Sequence, residues 1–90
     1  MSIEEEKIIL ETALLCTQEP LTLSDMAKMF MDETAPVKKE AMARYRLLLE
    51  ELKKDWENRG LELVCVANGW RFQSRLEMKP YLLRLRREKP

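Results

Sequence analysis

Leu61-Glu62-Leu63-Val64-Cys65-Val66-Ala67-Asn68-Gly69-Trp70-Arg71-Phe72-Gln73-Ser74 decides the fold. Two β-favouring runs, Leu61 to Ala67 and Trp70 to Ser74, flank Asn68-Gly69. An Asn-Gly pair in that setting predicts a hairpin closed by a type I′ turn, which needs positive φ at both central positions. Leu61, Leu63 and Cys65 alternate with Glu62, Val64 and Val66. Trp70 and Phe72 alternate with Arg71 and Gln73. One face of the hairpin is therefore apolar and is expected to lie on helices.

The residues before the hairpin supply those helices. A long third helix is predicted from Val37 to Asn58, with Gly60 as its stop. At helical spacing Ala41, Met42, Tyr45, Leu48, Leu49, Leu52 and Trp56 fall on one side, and Leu47 points the opposite way. A second helix, Leu23 to Met31, carries Leu23, Met26, Ala27 and Phe30 as a core stripe. Thr22 and Asp25 sit at its start, and Asp32-Glu33-Thr34-Ala35-Pro36 is a polar connection after it. The first helix is predicted from Ile3 to Thr17, ending at Gln18-Glu19-Pro20. Ser2 and Glu5 have the spacing of a capping box, and Glu4, Glu5 and Glu6 suit the helix dipole. Beyond the hairpin a last helix runs from Leu76 to about Arg87, with Pro80 in its first turn and Met78, Leu82, Leu85 and Tyr81 on one side. Three helices, a two-stranded wing and a closing helix make a mainly α, α+β winged-helix domain over residues 1–90.

Composition narrows the chemistry. The 90 residues carry 16 acids and 16 bases, with no histidine. Residues 1–35 hold eight acids and two bases, a balance of −6, and residues 71–90 hold seven bases and two acids, a balance of +5. Without histidine there is no Ser/His/Asp or Cys/His constellation. Two cysteines, Cys16 and Cys65, are too few for a structural zinc site. Both lie among apolar residues, which predicts buried thiols in a reducing compartment, although sequence leaves a disulfide between them open. The two glycines are used by a helix stop and a turn, so no phosphate loop remains. The expectation is a non-enzyme with no cofactor and no metal. The acidic N-terminus is unlike a signal peptide, and the longest apolar run, Leu63 to Ala67, is far short of a span. A cytoplasmic protein with no membrane association is expected.

What remains is binding. With Ile9 taken as zero on the first helix, Ala13 and Cys16 lie near it. Leu10 and Leu14 lie ~100–140° to one side and Ile8 and Leu15 ~100–120° to the other. That arc is roughly twice the ~100° that covers a single core. Either the last helix or the wing closes over the surplus, or a second protein chain does. Ile8, Leu10, Leu14, Leu15 and Leu47 are accordingly the candidate partner or dimer interface. For nucleic acid, Arg71 near the turn and the basic run Arg84, Arg86, Arg87 and Lys89 are the candidate contacts. Glu40, Glu50, Glu51, Asp55 and Glu57 along the third helix would repel phosphate, so direct DNA binding is expected to be weak or absent. The alternative is a winged-helix DNA-binding transcription regulator that reads with its third helix and basic tail.

Four segments carry a resemblance to a known family. Glu19-Pro20-Leu21-Thr22-Leu23 resembles the "EPLS/TL" segment of ScpB proteins. Gly60-Leu61-Glu62-Leu63-Val64 resembles their "RGLELV" strand, Ala67 to Arg75 their "GGYR/GWRFQTR" wing, and Tyr81-Leu82 their "PYL" helix opening. The resemblance implies a subunit of two tandem winged helices that joins the kleisin ScpA and an SMC ATPase in the bacterial condensin, in chromosome condensation and segregation, and thereby the nucleoid. It implies homodimerisation through the N-terminal domain and ScpA binding through the C-terminal one. Holding one winged helix, the chain is expected to be the N-terminal domain of a longer two-domain protein.

Overall fold

The computed structural model describes residues 2–31 and 38–86, with the side chain of Arg86 left out. The polar connection at 32–36, the expected helix start at Val37, and Arg87 and Lys89 lie outside the described residues. Helix α1 (Ile3–Cys16) opens on the capping box its spacing promised. The Glu5 N–H donates to Ser2 Oγ at 3.1 Å, and the Ser2 N–H donates to Glu5 Oε1 at 3.3 Å. Helix α2 (Leu23–Phe30) opens the same way, with Asp25 N–H to Thr22 Oγ1 and Thr22 N–H to Asp25 Oδ2 both at 3.0 Å. Each box satisfies two backbone donors that a helix start otherwise leaves free.

Helix α3 (Lys39–Asp55) ends three residues short of the expected Asn58. Glu57 to Arg59 continue as turns, and Gly60 has no left-handed φ. The stop is made from outside the helix. Arg75 donates from Nε to the Arg59 carbonyl at 2.7 Å and from Nη2 to the Trp56 carbonyl at 3.0 Å. A guanidinium thereby meets the carbonyls just beyond the helix's C-terminal end, where cations are favoured.

Strands β1 (Leu61–Val66) and β2 (Gly69–Ser74) pair antiparallel with Leu63 opposite Phe72 and Cys65 opposite Trp70. The turn is not type I′. Ala67 and Asn68 both keep negative φ and Gly69 alone is positive, at 129°. A turn of ordinary hand followed by a left-handed glycine is the other common short hairpin connection. Leu21 adds a third strand stub: its N–H and carbonyl each bond Trp70 across 2.8 Å. A Cβ on Gly69 would collide with the Leu21 carbonyl, so the glycine serves both turn and bridge.

The core joins Leu10 and Leu14 of α1, Met26 and Ala27 of α2, Ala41, Tyr45, Leu48, Leu49 and Leu52 of α3, and Leu63 of β1. Phe30 stacks on Tyr45 with centroids 5.6 Å apart, and Phe72 packs on Trp56 at 4.9 Å. Fully burying each large side chain contributes about 1.5–3 kcal/mol. A one-turn 3₁₀ segment (Leu76–Met78) then leads into α4 (Lys79–Arg86), which crosses the open end of the hairpin.

Candidate interaction surface

Three polar side chains set the rotation of α1. Glu6, only 7% exposed, faces Arg44, whose Nη2 donates to Oε2 at 3.2 Å. Arg44 Nε lies 3.0 Å from Oε1 as an ion contact without hydrogen-bond alignment. Lys7 reaches Asp55 at 2.9 Å and Glu51 at 3.1 Å. Those carboxylates, Asp55 first, hold the Lys7 ammonium above its ordinary pKa. Glu11 Oε2 accepts from the Trp56 indole N–H at 2.8 Å. Glu6, Lys7 and Glu11 thus bolt one side of α1 to α3.

With that side fixed, Leu10 and Leu14 turn into the core at 0% and 2% exposure. This corrects two of the interface residues expected from sequence. They are core residues, and β2 and α3 cover them. Ile8 and Leu15 point the other way, at 62% and 43% exposure, beside Ile9, Thr12 and Cys16. Thr12 donates its hydroxyl to the Ile8 carbonyl at 2.8 Å, so this polar group is satisfied within the helix. The result is a second apolar stripe along α1, facing solvent. Leu47 stands on α3 at 67% exposure, on the rim of a cleft of about 660 Å³ between α3 and β1. Neither the wing nor α4 closes over Ile8 and Leu15.

Both cysteines are exposed, which corrects the expectation of buried thiols. Cys16 sits at the last turn of α1 on the outward side. Cys65 lies opposite Trp70, one pair from the turn end of the ladder.

The largest apolar exposure was not foreseen. Leu76, Tyr81, Leu82, Leu83 and Leu85 all stand open around α4, from 41% for Leu82 to 78% for Leu76. The sequence signal was present in the Tyr81-Leu82-Leu83 run followed by Leu85, which is wider than one hairpin end can cover.

The basic candidates do not gather. Arg71 is exposed toward the turn end of β2, while α4 leaves from the strand's opposite end. Arg84 lies over its neighbour Tyr81, 5.9 Å from the ring centroid. Arg86 belongs to α4, and Arg87 is outside the described residues. Along α3, Lys53 rests over Trp70 at 5.9 Å. Among the described residues no group of three or more metal-ligating side chains converges, and no helix is long and apolar enough to cross a membrane.

Helices α1 to α3, the Leu21 stub and the β1–β2 wing define a winged-helix domain with exposed apolar residues along α1 and around α4. The family model for the segregation and condensation complex subunit ScpB matches residues 8–90, and the chain belongs to that family. The segregation and condensation protein B homolog of Coxiella burnetii is 41% identical over 90 residues, which are 100% of this chain and 41% of that protein. ScpB from Mycobacterium tuberculosis superposes with a TM-score of 0.79 at 23% identity, over 98% of this chain and 51% of that one. A dimer of ScpB N-terminal domain complexed with ScpA peptide superposes at 0.72 with 28% identity, over 92% of this chain and 96% of that one. The chain thus spans about two fifths of its Coxiella relative and nearly all of an ScpB N-terminal domain.

Proposed function

We propose that this chain is the N-terminal winged helix of a two-domain ScpB subunit, a non-catalytic adaptor of the SMC–ScpA–ScpB condensin. In this reading it works in the cytoplasm, at the nucleoid, and takes part in chromosome condensation and segregation by holding proteins together. The carrying observation is the second apolar stripe of α1: Ile8 and Leu15 face solvent although the helix already has a complete core face. An exposed stripe of that kind marks a protein interface. The stripe joins the domain to a second copy, with Leu47 as a further apolar contact. Kleisin ScpA and the SMC ATPase are partners of the whole subunit. The relative described as a dimer of ScpB N-terminal domain complexed with ScpA peptide supports the contact between copies and a contact with ScpA by the N-terminal domain, where the resemblance had implied the C-terminal one.

Light scattering and sedimentation at micromolar concentration test the reading. A dimer is expected, and Ile8→Glu with Leu15→Glu should return it to monomer without unfolding it. A wild-type chain that stays at 10.7 kDa would remove the physical basis of the adaptor role. A gel-shift titration should show only weak, salt-sensitive DNA binding. Tight sequence-dependent binding would favour a transcription regulator instead.

A further inference from the structure

The described residues leave two large apolar surfaces without a partner, and the two differ in charge. The α1 stripe (Ile8, Ile9, Leu15, Cys16) has Glu4 and Glu5 exposed at its N-terminal end. The α4 surface carries Tyr81 and Leu85, at 63% and 68% exposure, with Arg84 between them in sequence and exposed. The sequence around them is skewed the same way, −6 over residues 1–35 and +5 over residues 71–90. They also match in length. Ile8 to Cys16 rises about 12 Å, and the eight residues of α4 rise about the same.

Within one chain α4 does not reach the stripe; it packs back on the 3₁₀ turn at the hairpin's open end. The Cα radius of gyration is 15.3 Å and the long axis 48 Å, whereas a compact chain of this length has a radius of about 12 Å. The molecule is elongated, with an apolar helix beyond its hairpin. Pairing α1 with α1, or α4 with α4, across a two-fold axis would cover only one of the two apolar surfaces and would join helices of like net charge. Pairing α1 with the α4 of a second copy opposes unlike charges and covers both apolar surfaces. A two-fold axis then repeats the contact, which is how two short helices approach the roughly 1,200 Å² of a stable interface.

Resting on the self-association proposed above, we infer that the dimer forms by exchange. The α4 helix of each copy lies antiparallel along the outer stripe of the other's α1, with Leu85 on Ile8, Tyr81 on Leu15 and Arg84 toward Glu4 and Glu5. The occupant of both surfaces is a second copy of this chain.

Native Cys16 gives the test. Two 90-residue variants are mixed at micromolar concentration, both carrying Cys65→Ser. One keeps Cys16; the other carries Cys16→Ser and Tyr81→Cys. Mild oxidation is expected to produce a disulfide-linked dimer from the mixture and little from the second variant alone. The Cys16 variant alone should form no Cys16–Cys16 bridge. Glu4→Lys with Glu5→Lys should weaken association on the order of tenfold, and adding Arg84→Glu should restore it. That arm keeps the test valid even where Tyr81→Cys folds poorly. A dimer by light scattering with only Cys16–Cys16 bridges, or with no response to the charge swap, overturns the exchange while leaving self-association standing. A monomer throughout overturns both.

Discussion

Replacing Gly69 by alanine should be among the costliest changes of a single methyl group in this domain. Two effects add. Gly69 holds φ at 129°, and a Cβ in left-handed backbone costs about 1–2 kcal/mol. The same Cβ would strike the Leu21 carbonyl, so the bridge to Trp70 must open. That bridge has two hydrogen bonds of 2.8 Å, each contributing about 1 kcal/mol net. The loss is therefore about 3–4 kcal/mol, against a total stability of about 5–13 kcal/mol for 90 residues. At ~4–8 °C per kcal/mol the thermal midpoint should fall by roughly 12–32 °C. Urea unfolding for the free energy and thermal unfolding for the midpoint, both followed by the fluorescence of Trp56 and Trp70, measure the loss. Asn68→Ala is the matched control: Asn68 is exposed with negative φ, and its loss should cost under about 1 kcal/mol. If Gly69→Ala costs less than about 1 kcal/mol, or Asn68→Ala costs as much, the account of this turn is wrong.

The two faces of α1 should respond differently to mutation. Leu14→Ala should destabilise the monomer by about 2–5 kcal/mol in thermal unfolding, while Ile8→Ser should leave it within about 0.5 kcal/mol yet weaken self-association in sedimentation. Arg44→Ala strands the Glu6 carboxylate at 7% exposure and should cost about 1–3 kcal/mol, much of it recovered by Glu6→Gln in the same chain, read by chemical denaturation. Asp25 is held below its ordinary carboxyl pKa of 3.8 by the Thr22 backbone N–H, then by the Thr22 hydroxyl. Because the folded value is depressed, its stabilising contribution is complete above the unfolded value and disappears as pH falls through the folded one. An acid titration should therefore destabilise the wild type more than Asp25→Ala.

Much of this fold was legible because its signals are local. Ser2/Glu5 and Thr22/Asp25 are three residues apart, and both boxes formed as spaced. The α3 stripe read correctly because its solvent side is charged, leaving one direction for the core. The turn was misassigned because Asn-Gly suits two hairpin geometries, and the choice between them follows from the Leu21 backbone, 48 positions away from Gly69 in sequence. Strand alternation tells which side Cys65 faces, not whether another element covers it, and Cys16 falls on the side of α1 opposite its core face. The α4 exposure has a signal in the Tyr81-Leu82-Leu83 run, but its extent is set at long range. Its apolar side is plain, but what it meets depends on where the hairpin ends.

Helix α1 is the instructive failure, and the failure carries the functional argument. Periodicity finds a core by contrast between apolar and polar sides. This helix is apolar over roughly twice the arc that one core needs, so Leu10 and Leu14 could not be told from Ile8 and Leu15. The choice is made at long range, by Arg44, Glu51, Asp55 and Trp56 engaging Glu6, Lys7 and Glu11. Once those contacts assign one side to the core, the apolar residues opposite stabilise nothing in the monomer. Isoleucine is also a poorer helix former than the lysine or glutamate that an idle surface would carry. Ile8 and Ile9 side by side on the open face thus disfavour the isolated helix. The sequence keeps them at that cost only if something outside the chain covers them, and the covering surface must be apolar and about as long as the stripe itself.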